Sequence, residues 1–158
     1  MLNILVLCTG NSARSILLEH ILGADPRVSA FSAGSQPAGR VHPAAIRLLG
    51  EKGFDTSAAR SKSWDEFGTP DAPRMDAVIT VCGSAAGETC PIWPGAPVRA
   101  HWGVEDPAAA DEADWPLAFA AAFDQLNTRA QAFLALPIET YDGAALNAAL
   151  HDIAGRTA

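Results

Sequence analysis

Cys8, Arg14 and Ser15 lie on one short stretch, Cys8-Thr9-Gly10-Asn11-Ser12-Ala13-Arg14-Ser15, and their types suit chemistry on an oxyanion. A cysteine thiolate is a nucleophile, and a guanidinium offers a planar fork to two oxygens of a tetrahedral anion. The five residues between Cys8 and Arg14 are all small or polar, and Gly10 among them is free to take a positive φ. Before them, the apolar run Leu2 to Leu7 reads as a buried strand of a parallel sheet. After them, Ile16, Leu17, Leu18, Ile21 and Leu22 recur at helical spacing, so a helix is expected from about Ala13 to Gly23. A strand–loop–helix turn of this kind aims successive backbone N–H groups at one spot, with the helix N-terminus behind them. Thr9, Gly10, Asn11, Ser12, Ala13 and Arg14 would form that oxyanion cradle, with Cys8 at its base. The amides, the helix N-terminus and Arg14 all favour the thiolate, and Ser15 can donate a hydrogen bond to the sulfur. The alternative is an inert thiol at a strand end, a common place for free cysteine. The Gly, Asn and Arg gathered in the same window argue against it.

Two more cysteines and an aspartate fall where the same edge should be. Met75 to Val81 reads as a second strongly buried strand, and it ends at Cys82. In open parallel sheets, ligands gather beyond the carboxyl ends of strands, so two central strands would bring Cys8 and Cys82 to one crevice. Seven small or polar residues separate Cys82 from Cys90. Such a spacer permits a disulfide only if it brings the two Cα atoms within ~7 Å. The bland reading is a pair of unrelated small hydrophobes. A metal site with His101 lacks a Cys-x2-Cys knuckle and a fourth ligand, so no metal is expected. A short strand ending near His101 would carry Asp106 to the same edge. An acid there would protonate an oxygen departing from the attacked anion. Its plain alternative is a turn initiator, since Asp-Pro is a frequent turn dipeptide. His101 itself reads as a core or turn histidine.

The remaining elements complete an alternating α/β pattern. Val28 to Ser32 reads as a strand closed by Ala33-Gly34, and His42-Pro43 opens a helix running to about Lys52-Gly53. Trp64 to Phe67 suggests one helical turn. Asp114-Trp115-Pro116 starts a long helix, with Asp114 as its cap, ended by Leu136-Pro137. Leu117, Phe119, Ala120, Phe123, Leu126, Ala130 and Phe133 would lie on its sheet-facing side. The tail, Ile138 to Ala158, holds a short helix from Gly143 to Ile153 and otherwise looks like surface. The 158 residues suit one domain, read as 1–137 with a C-terminal extension at 138–158. A hydrophobic fraction of 49% fits a folded α/β protein, and a formal net charge of −7 speaks against nucleic-acid binding. Three cysteines are no secreted disulfide framework, and no apolar run is long enough to span a bilayer. A cytoplasmic, monomeric enzyme is expected.

Cys8 to Ser15 after an N-terminal strand resembles the low-molecular-weight protein tyrosine phosphatase superfamily, which includes arsenate reductases. The Cys-x5-Arg spacing, Ser32-Ala33-Gly34, and His101-Trp102-Gly103 followed by Asp106-Pro107 all fit that resemblance, which extends to about Phe133. It implies a four-stranded parallel sheet flanked by helices, with Asp106 as general acid and Asn11 ordering the cradle. The Cys82–Cys90 segment looks like the redox loop of the reductase branch. The implied reaction is reduction of arsenate to arsenite, with Cys8 as nucleophile and Cys82 and Cys90 as successive resolving thiols. No bound cofactor is implied; the external reductant would be thioredoxin, or glutathione with glutaredoxin, docking transiently. Phosphatases of the superfamily place aromatic residues after the Asp-Pro pair, whereas this chain has Ala108-Ala109-Ala110. Trp64 or Trp93 could line a phenyl slot instead, so hydrolysis of phosphomonoesters through a phosphocysteine is the rival activity. A non-catalytic oxyanion- or redox-sensing module is the rival from another class. Glu19, Ser32 and Ser61 fall where some relatives hold potassium near Asn11, but the expected carboxylate is replaced by Ser63.

Overall fold

A computed structural model describes residues 1–83, 93 and 97–156. Strands β1 (Leu2–Cys8), β2 (Val28–Gly34), β3 (Ala77–Thr80) and β4 (Val98–His101) form one sheet in the order β2-β1-β3-β4. Every pairing is parallel. The described helices are α1 (Arg14–Gly23), α2 (Pro43–Glu51), α3 (Trp115–Leu134) and α4 (Gly143–Arg156). The expected α/β class and four-stranded parallel sheet are therefore present, with β1 and β3 central.

Alternation along β1 divides the core, because successive side chains of a strand point to opposite faces. Ile4, Val6 and Cys8 join Ile79, Val81 and Trp102 under the helices, where they meet Leu17, Phe119, Phe133 and Leu150. Leu5 and Leu7 face the other way, onto Ala33, Phe67, Met75, Val78 and Trp93. Trp64 packs at the edge of this second cluster, with its ring centroid 6.3 Å from that of Trp93. Trp93 is only 2% exposed and so lines no open slot, while Trp64 is half-buried at the edge of the cluster.

Several local expectations are revised. β3 is shorter than the apolar run, beginning at Ala77 and ending at Thr80. Asp114 precedes α3 but its side chain makes no capping bond; Pro116 sits in the first turn as expected. Leu117 is 76% exposed, so the sheet-facing stripe starts at Phe119. His101 is exposed at the end of β4, bonded through Nδ1 to Thr80 Oγ1 at 2.8 Å, and is no core residue. The tail contributes more than surface, since Leu146, Leu150 and Ile153 are buried on α4. The Trp102 indole N–H donates to the Leu150 carbonyl at 3.1 Å, which fixes α4 to the end of β4.

Arg27 fastens the C-terminal half to the turn between α1 and β2. Its guanidinium donates to the carbonyls of Leu134 and Leu136 and to the carboxylates of Asp25 and Glu139. The Arg27 hydrogen bonds hold the Asp25 carboxyl below its ordinary 3.8. A carboxylate depressed by folding stabilises the fold above its unfolded value, and that contribution disappears as pH falls through the folded value. Arg27→Met should therefore lower the melting temperature at pH 7. The gap to wild type should narrow at acid pH, as the pH falls through the depressed value at which folded Asp25 takes up its proton. A gap unchanged down to pH 2.5 would show that the carbonyl contacts alone matter.

Candidate active site

The loop after β1 is shaped by its contacts with two neighbouring segments. The carbonyls of Thr9, Gly10 and Ser12 accept from the N–H groups of Gln36, Ala38 and His42, at 2.9–3.0 Å. Because each peptide unit is planar and trans, the N–H groups of Gly10, Asn11 and Ala13 point away from that segment. That is the direction in which an oxyanion cradle would use them. The left-handed residue is Asn11, with φ 45°, and not Gly10. Asparagine tolerates this conformation better than most residues, and here its side chain gains from it. Gly34, paired with Cys8 at the end of β2, is the glycine that the site needs. A Cβ there would collide with the Thr9 carbonyl and press on the Cys8 carbonyl and the Asn11 N–H.

Beneath the loop runs a buried chain of hydrogen bonds whose direction can be worked out. Ser32 Oγ lies 2.6 Å from Glu19 Oε1, so the hydroxyl proton goes to the carboxylate. Ser32 therefore accepts from the Asn11 amide nitrogen, at 3.0 Å. The same nitrogen donates its second proton to Ser15 Oγ at 2.7 Å, while Asn11 Oδ1 accepts the Lys62 backbone N–H at 2.9 Å. Ser15 Oγ thus accepts from Asn11 and has its own proton for Cys8 Sγ, 3.0 Å away. Asn11, Ser15 and Ser32 are all fully buried, so solvent does not compete for these bonds. The Ser15 proton is thus directed at the sulfur, as the sequence suggested it could be.

Arg14 connects the loop to the segment after β4. Its guanidinium donates to the Val104 carbonyl at 2.9 Å, and its other terminal nitrogen lies 3.8 Å from Asp106 Oδ2. The remaining N–H donors of the fork suit two oxygens of an anion. Asp106 Oδ1 accepts the Ala108 N–H at 3.0 Å, as the cap of a short 3-10 turn, Pro107–Ala109. The other carboxylate oxygen faces Arg14, and the side chain is 45% exposed. Asp106 is thus both the turn initiator and a carboxyl group beside the cradle. Buried Arg129 of α3 donates to the Gly103 carbonyl at 2.9 Å and steadies the same segment. His42 caps α2 by accepting the Ala44 N–H on Nδ1, and burial, with Arg40 nearby, pushes the imidazole below its usual range.

Cys82, two residues beyond β3, is buried with its Sγ 3.6 Å from Thr9 Oγ1. The second sulfur therefore contacts the cradle itself. Cys90 lies outside the described residues. Sequence reading missed Lys62, Arg129 and the Val104 carbonyl. None has a local signature, since a buried cation and a backbone acceptor are set by tertiary packing.

Fold and site together define an α/β protein with a buried cysteine at the end of its first strand and an arginine-bearing loop beside it. A sequence model of the low molecular weight phosphotyrosine protein phosphatase family matches residues 3–148, and the chain belongs to that family. The match runs past Phe133, where the resemblance in sequence was expected to fade, to the middle of α4. The arsenate reductase of Halalkalibacterium halodurans is 38% identical over 134 residues, which are 80% of this chain and 91% of that protein. A solved arsenate reductase in its phosphate-binding state superposes with a TM-score of 0.67 at 29% identity, covering 85% of this chain and 98% of that one. A thioredoxin-dependent arsenate reductase of Corynebacterium glutamicum gives a TM-score of 0.61 at 27% identity, covering 83% and 59%.

The direction of the hydrogen-bond chain makes a specific expectation. Ser15→Ala should slow alkylation of Cys8 by iodoacetamide at pH 7 by about tenfold, the worth of one hydrogen bond to a charged group. An unchanged rate would remove Ser15 from the support of the thiolate.

Proposed function

We propose that this protein reduces arsenate to arsenite by a three-cysteine relay, and that an external dithiol regenerates it. The observation that carries the proposal is the second sulfur at the cradle: Cys82 touches Thr9, at the loop that holds Cys8. A phosphatase has no use for that thiol.

Arsenate docks on the N–H groups of the loop and on the Arg14 fork. The Cys8 thiolate attacks arsenic(V), and an arsenate oxygen departs as water after taking a proton from Asp106. Arsenic remains As(V) in the resulting Cys8–arsenic adduct. The Cys82 thiolate then attacks Cys8 Sγ. The electron pair of the S–As bond moves to arsenic, arsenite leaves as As(III), and a Cys8–Cys82 disulfide remains. Cys90 attacks Cys82 Sγ and releases Cys8 as thiolate, ready for another anion. The Cys82–Cys90 disulfide is reduced by thioredoxin, or by glutathione with glutaredoxin. The thioredoxin dependence of the C. glutamicum neighbour supports the first of these. The absence of aromatics at Ala108 to Ala110, and the burial of Trp93 in the second core, leave no slot for a phenyl ring on those residues.

No helix among the described residues is long and apolar enough to cross a membrane, which suits a relay served by a diffusing reductant. The test is arsenate-dependent NADPH oxidation with thioredoxin and thioredoxin reductase. Wild type should turn over, Cys90→Ser should stop after a single arsenite, and Cys82→Ser should release none. Brisk hydrolysis of p-nitrophenyl phosphate by all three proteins, with no arsenate turnover, would make the protein a phosphatase instead.

A further inference from the structure

Lys62 is an anomaly by burial. The residue is only 8% exposed, yet it ends in an ammonium, and burial pushes that ammonium below its usual range while Glu19 opposes the shift. Lysine is seldom buried without a partner that uses its charge. Its Nζ donates to Ser32 Oγ at 3.2 Å and to the Arg60 carbonyl at 2.9 Å. Ser32 passes its own proton to Glu19, so ammonium, hydroxyl and carboxylate run in series under the loop.

The potassium ion that the family resemblance implies beside Asn11 does not fit these residues. Ser32 Oγ already accepts two hydrogen bonds, from Asn11 and Lys62, and donates its proton to Glu19. Ser61 turns away, donating to the Gly10 carbonyl at 3.1 Å and accepting the Gly39 N–H at 3.2 Å. Ser63 caps the following 3-10 turn through the Asp65 N–H. Two of the oxygens that would surround a metal are committed elsewhere, and an ammonium stands on the third.

We infer that the Lys62 ammonium is the resident cation of the loop's support, a positioning residue acting on Cys8 through Ser32, Asn11 and Ser15. By saturating Ser32 with a second donor and balancing the Glu19 charge, it keeps Ser32 an acceptor towards Asn11. The Asn11 amide is then held in the one orientation that leaves the Ser15 proton for the sulfur. Arg60 cannot take over this role, because its guanidinium is paired in two bonds with Glu66. This inference concerns the support of the thiolate and stands independently of which anion the protein reduces.

The test follows Cys8 alkylation by iodoacetamide at pH 7, read on the Cys8 peptide by mass spectrometry, in potassium chloride and in choline chloride. Wild type should react at the same rate in both salts. Lys62→Met should react about tenfold more slowly in choline, the loss of one charge-assisted hydrogen bond, and should recover towards wild type when methylammonium supplies an ammonium in its place. Such rescue by a small cation is not expected of a side chain that merely fills space. Lys62→Arg, which keeps the charge, should remain faster than Lys62→Met without potassium. Wild type accelerated severalfold by potassium would overturn the inference, as would a folded Lys62→Met that reacts at the wild-type rate in choline. If Lys62→Met does not fold, the salt comparison on wild type and Lys62→Arg decides, with indifference to potassium supporting the inference and dependence refuting it.

Discussion

The site rests on one proton, that of the Ser15 hydroxyl, and on the sulfur to which it is directed. Ser15 can serve Cys8 only because Asn11 donates to it, and Asn11 can donate only because its carbonyl oxygen is taken by the Lys62 backbone N–H. That arrangement in turn needs the left-handed Asn11 backbone and the close approach of Gly34 to the loop. A buried network of this kind is costly when incomplete and rigid when complete. Here the bonds found account for both donors of the Asn11 amide, which makes the loop a fixed structure before any anion arrives. Preorganised N–H groups of that sort lose little on binding charge.

The distribution of charge follows the same logic. The chain carries a formal net charge of −7, yet the cations that matter are placed around one loop. Arg14 reaches across to the Asp106 segment, Lys62 lies beneath the loop, and Arg129 holds Gly103 from behind. Arg14 is the link between halves of the chemistry, since it touches the Val104 carbonyl and faces Asp106 while belonging to the cysteine loop. The loop of Arg14 and the segment of Val104 lie about ninety residues apart in sequence and are brought together by the parallel sheet.

Much of this was legible in the sequence, for physical reasons that differ from residue to residue. The buried runs Leu2 to Leu7 and Met75 to Val81 announce central strands because nothing else hides so many consecutive apolar side chains. Cys8, Arg14 and Ser15 lie in a single window, so their proximity is nearly covalent, and Asp106 is marked by its proline and by the strand before it. Gly10 is free to take a positive φ, but Asn11 is the left-handed residue, and its preference for that region depends here on a side-chain partner fifty-one residues away. Leu117 satisfied the helical spacing but fell just outside the contact with the sheet, at the first turn of α3. The contribution of α4 was understated, since three buried residues at wide spacing look like surface until β4 is placed against them. Lys62 could not have been found at all. Nothing local separates a buried lysine from the exposed ones that share its type.

The central claim is that Cys82 resolves an adduct formed on Cys8. The most direct measurement is a single-turnover reaction of reduced Cys90→Ser with one equivalent of arsenate, followed by alkylation of free thiols and peptide mass spectrometry. A Cys8–Cys82 disulfide formed together with one equivalent of arsenite is the expected result. A protein whose three-residue relay is broken only at its last step should stop there. Free Cys82 with no arsenite formed, or a disulfide between molecules in its place, would contradict the relay.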